Sequence, residues 1–103
     1  MDATQETILQ QTNGKELLLN GVKITTIQKG LWFHRTIGKY SRKVKVTYDD
    51  LMDEYKVTTA MLNMRTFAFI EIETRTMFCD ELAKEVFHFL GLEQIHPVTF
   101  SSF

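Results

Sequence analysis

A chain of 103 residues with 44% apolar and 24% charged residues has the composition of one ordinary globular domain, read here as residues 1–103. That balance excludes a collagen, a low-complexity disordered chain and a disulfide scaffold, because Cys79 is the single cysteine. The formal net charge of −1 excludes an overall polycation but conceals an uneven distribution along the chain.

The first 20 residues lack the basic start and apolar core of a signal peptide, and no apolar run approaches the length of a membrane span. With one thiol, a reducing, cytoplasmic setting is expected. Thr7–Thr12 reads as a further strand or a frayed terminus. Asn13-Gly14 and Asn20-Gly21 carry the signature of type I′ hairpin turns, whose two central residues need positive φ. With Gly30 and Gly38 they recur at 7, 9 and 8 residues, the rhythm of a meander of short strands. The runs between them, Lys15–Leu19, Val22–Gln28, Leu31–Ile37 and Arg42–Thr47, are rich in β-branched and aromatic residues. Lys43 to Thr47 alternates strictly, which sets Val44 and Val46 on one face and Lys43 and Lys45 on the other.

Thr47-Tyr48-Asp49-Asp50 then fits a helix capping box. Asp49, Asp50 and Asp53 fall where a helix dipole favours acids, so a helix is expected over about 48–55. A second helix is expected over 58–65, from the cluster Ala60, Met61, Leu62 and Met64. Together the two segments resemble a helix-turn-helix at Leu51, Val57, Thr58 and Leu62. Met52 stands where that motif takes a small residue and Lys56 where it takes glycine. The resemblance would turn Thr59, Asn63 and Arg65 toward a DNA major groove. Phe67–Thr76 reads as a long strand. From Met77 to Leu90 the apolar residues Phe78, Leu82, Val86 and Phe89 recur at helical spacing, and Gly91 supplies the stop. Leu82, Val86 and Phe89 are expected buried, with Glu81, Lys84, Glu85 and His88 on the wet face. Ile95–Phe100 is a candidate last strand, kept at an edge by Pro97. The fold class that follows is α+β: a mostly antiparallel N-terminal β-meander packed with two or three helices, including a C-terminal amphipathic helix near 78–90.

No catalytic signature emerges. Glu81, Glu85 and His88 share one helix face, but a zinc site needs three or four ligands and no second cluster is visible, so a solvated face and no metal are expected. Cys79 beside Phe78 is expected to be a buried structural thiol. Phosphate-binding glycine loops are absent, and no cofactor is implied.

The charge pattern is more informative. Residues 17–48 carry seven bases and no acid, whereas residues 49–103 carry ten acids and four bases. Within the basic stretch, cations interleave with aromatic rings: Trp32, His34, Arg35, Lys39, Tyr40, Arg42, Lys43 and Lys45. Cationic strands bearing aromatic platforms suit single-strand and RNA binding. The expected function is thus a small non-enzymatic, nucleic-acid-binding or regulatory protein that uses these eight residues. The alternative is a protein-interaction module, an inhibitor or adaptor, steered onto an acidic protein surface by charge. No membrane partner is expected, and an exposed strand edge would permit a homodimer.

Overall fold

The alternating stretches between residues 23 and 77 form one antiparallel sheet, and the computed structural model describes residues 1–92. Its strands, β1 (Lys23–Ile27), β2 (Gly30–Ile37), β3 (Tyr40–Asp49), β4 (Glu54–Asn63) and β5 (Ala68–Met77), lie side by side in chain order. Each pairs with the next through a short hairpin, as a meander of local connections should. The register sets Phe33 opposite Val44 and Leu31 opposite Val46, and Val46 opposite Val57. These residues share one face, and all of them are buried. A one-residue slip would turn every one of them to solvent, so burial fixes the register.

Three helices, α1 (Ala3–Gln11), α2 (Gly14–Leu19) and α3 (Cys79–Phe89), complete the α+β fold. Ile8 and Leu17 from the N-terminal pair join Leu82, Val86 and Phe87 of α3 over the valine-lined face, in one core with Phe33 and Leu31. Asp2 caps α1, and its carboxylate and the Gln5 side chain exchange hydrogen bonds with each other's backbone N–H at 2.8 Å.

Residues 7–11 and 14–19 are thus helical, and neither Asn-Gly pair is a hairpin. Asn13, at φ 56°, is the left-handed joint between α1 and α2. Gly21, at φ 81°, ends α2: its N–H donates to the Leu18 carbonyl and that of Val22 to the Leu17 carbonyl, both at 3.1 Å. Gly91, at φ 71°, ends α3 with the same two-bond pattern, to His88 and Phe87. The run Glu16-Leu17-Leu18-Leu19 prefers a helix, and glycine after a helix satisfies the same left-handed geometry that a type I′ turn demands.

The expected helices at 48–55 and 58–65 are strands joined by a turn, which removes the helix-turn-helix and with it any groove-facing role for Thr59, Asn63 and Arg65. The Asp49 carboxylate does bond backbone N–H groups, those of Leu51 at 3.0 Å and Met52 at 3.3 Å. It closes a turn rather than opening a helix, since the same local bond serves both. Leu51 at this turn is 94% exposed, whereas Tyr55 is buried as a residue of β4. Across this hairpin the Tyr48 hydroxyl donates to Asp53, a bond that pushes the phenol pKa up to about 12.

In α3, Leu82 and Val86 are buried as expected and Glu81 is exposed. Phe87 takes the central place expected of Phe89, which is only partly buried, and Glu85 is half-covered by its bond to Arg75. Cys79 is exposed at the first turn rather than buried. No helix among the described residues is long and apolar enough to cross a membrane. The candidate strand Ile95–Phe100 lies outside the described residues.

Candidate functional site

The helices cover one face of the sheet. Side chains of the other face are read from the ladder, row by row across the strands. One row sets Lys23 opposite His34, His34 opposite Lys43, and Lys43 opposite Ala60. The next sets Thr25, Trp32, Lys45 and Thr58 side by side, and Lys56 lies in the row beyond. The Lys43 ammonium sits over the Trp32 ring, 5.1 Å from its centroid. Trp32 is 36% exposed, so one large aromatic surface lies among four lysines on a face that no described element covers. Toward β5 the same face turns apolar, with Ala60, Leu62, Phe69 and Ile72.

Four of the eight expected binding residues, Trp32, His34, Lys43 and Lys45, are therefore brought together. Lys39 lies at the tip of the β2–β3 hairpin, its ammonium 5.4 Å from the Tyr40 ring centroid. The remaining three face the helices. Tyr40 pairs opposite Ile37 near the end of that layer. Arg35 Nη1 donates to the Leu90 carbonyl at 2.7 Å, and Arg42 Nη1 to the Phe89 carbonyl at 3.0 Å. Both arginines thus satisfy orphan carbonyls at the C-terminus of α3, where the helix dipole favours cations. Lys23 and Lys56 join the outer face unforeseen. Alternation within their own strands assigns them there once the hairpin partners are known.

The two arginine positions give a prediction. Arg42→Met should lower stability by about 1–2 kcal/mol, the loss of a charged hydrogen bond and of charge near a helix end. It should leave binding at the outer face nearly unchanged. Chemical denaturation and a binding titration of the same variant check both halves.

His34 is held by a hydrogen bond of 2.6 Å between its Nε2 and Ser41 Oγ. Partial burial, and then the neighbouring Lys43 and Lys23 charges, push its pKa below the ordinary value of 6.5. A lowered folded pKa means that the unfolded chain takes up the proton first. The His34 contribution is thus complete above pH 6.5 and lost as pH falls toward the folded value. The melting temperature should drop between neutral and mildly acidic pH, and His34→Gln should flatten that part of the profile. An unchanged slope in the variant would assign the effect elsewhere.

An open cavity of about 490 Å³ lies at the end of the sheet between Lys56 and the acidic β3–β4 turn, lined also by Lys29, Tyr48 and Asp50. Lys29 and Asp50 close on each other across it at 2.6 Å. No group of three or more metal-ligating side chains is found among the described residues. No protein-family model, curated protein or solved structure matches the chain.

Proposed function

We propose that the protein is a small non-enzymatic, nucleic-acid-binding protein, and that single-stranded nucleic acid lies on the outer face of its sheet. The observation that carries this reading is Trp32 set among Lys23, Lys43 and Lys45 on a face that no element among the described residues covers. Strands spaced by about 4.8 Å, with same-face residues roughly 6.6 Å apart along each, hold these cations on a fixed grid around the ring. Phosphates bind the grid and release counterions, while a base stacks on the indole. A single strand fits better than a duplex, because its bases are free to reach a flat face.

Trp32 is the single tryptophan of the chain, so its fluorescence reports from the centre of the face. Titration with an unstructured oligonucleotide should quench it, and the affinity should fall steeply with salt. Unquenched fluorescence and no binding at low salt would overturn the reading. An acidic protein surface is the second partner class, favoured by the apolar corner of Leu62, Phe69 and Ile72 beside the lysines. In that case charge would set the association rate, and nucleic acid would bind weakly at any salt concentration.

A further inference from the structure

Strand β5 ends the sheet, and over ten residues its outward N–H and C=O groups meet no neighbouring strand among the described residues. Its surroundings are unusually apolar for a free edge. Phe69, Ile70, Ile72 and Phe78 are each more than half exposed. Natural edges of this length are shortened, charged with lysine or covered, because an open apolar edge pairs with other chains. We propose that β5 pairs antiparallel with β5 of a second copy of this chain, about a two-fold axis at Thr74.

The charges select the occupant and the register. Glu73 and Arg75 flank Thr74 on the helix-bearing side, both about half exposed, with Arg75 Nε 3.5 Å from Glu73 Oε1 in the same chain. An antiparallel copy centred on Thr74 sets Glu73 opposite Arg75 of the second copy, twice over by symmetry. The neighbouring register, centred on Glu73, would oppose two like charges, which destabilises a cross-strand pair. The Thr74 register also carries Ile70 to the level of Phe78 of the second copy, so the two exposed apolar ends meet. Backbone geometry permits this, because Phe78 is still extended at φ −90° and ψ 165° before α3 begins. Arg75 also bonds Glu85 of α3, and a guanidinium has donors enough for both carboxylates.

A two-fold axis normal to the sheet leaves both outer faces on the same side. The pair would offer a ten-stranded surface with Trp32 and its lysines twice. Dimerisation is measured without nucleic acid, so it stands or falls independently of the binding reading.

The test is sedimentation of the full chain over a range of protein concentrations. A concentration-dependent dimer is expected. Glu73→Arg should weaken it at least about tenfold, and the charge-exchanged Glu73→Arg/Arg75→Glu should recover most of the loss. Thermal melting of each variant confirms that it is folded. As an independent readout, Thr74→Cys in a Cys79→Ser background should give a covalent dimer with a short bis-maleimide. A chain that stays monomeric, a dimer indifferent to Glu73→Arg, or no cross-link at position 74 would overturn the proposal.

Discussion

Phe87→Ala should destabilise the protein by about 3–5 kcal/mol, the cost of deleting a fully buried phenylalanine and leaving a cavity. Phe87 is 2% exposed in α3 and belongs to the same core as Phe33 and Val44 of the sheet. A domain of this size holds on the order of 5–15 kcal/mol in all, so the variant should be near its unfolding threshold at body temperature. Phe89→Ala should cost clearly less, because that ring is partly exposed and packs under the Arg42 guanidinium at 6.0 Å. Urea unfolding of both variants ranks them. The reverse order would mean that α3 is rotated about its axis from the orientation described.

Lys43→Ala/Lys45→Ala should reduce the salt slope of nucleic-acid binding by roughly 2, one unit for each phosphate contact removed. Folding stability should change by no more than about 0.5 kcal/mol, because neither side chain is buried in the core. Separation of the two readouts is the informative result, since a merely misfolded variant would lose both. Trp32→Ala should weaken binding without altering the slope, because stacking on an indole releases no counterion. Binding that the double variant leaves untouched would show the lysines to be only a solvated sheet face.

The residues that were legible in the sequence are those whose pattern has one physical meaning. Strict alternation in Lys43–Thr47 assigns its two faces without knowledge of the partner strand, and Leu82, Val86 and Gly91 mark a helix and its end. Sequence and structure part where one local geometry serves two structures. Asn20-Gly21 supplies a left-handed residue that both a hairpin and a helix terminus require, and only the leucines before it favour the helix. Asp49 bonds the backbone two and three residues ahead, as a helix cap and an aspartate turn both do. There the β-branched run Val57-Thr58-Thr59 was the contrary signal for a strand.

The candidate site divides along the same line. Basic residues close in sequence suggest one patch, yet alternation sends Arg35 and Arg42 to the opposite face from Lys43 and Lys45. Whether a cation meets solvent or a helix end depends on where α3 docks, a contact 47 residues away in sequence for Arg42 and Phe89. That separation is invisible to any window of periodicity. Cys79 likewise follows Phe78, which is itself exposed, so an apolar neighbour was no sign of burial.

The proposed function requires nucleic acid to lie around Trp32, on the sheet face that no element among the described residues covers. Backbone amide shifts, followed by NMR as an unstructured oligonucleotide is added at low salt, test it most directly. The largest changes are expected at Lys23, Trp32, His34, Lys43 and Lys45, joined by the Trp32 indole N–H, with α1 and the buried turns of α3 unmoved. Changes centred on α3 or on the acidic β3–β4 turn, or no change at all at saturating oligonucleotide, would contradict it.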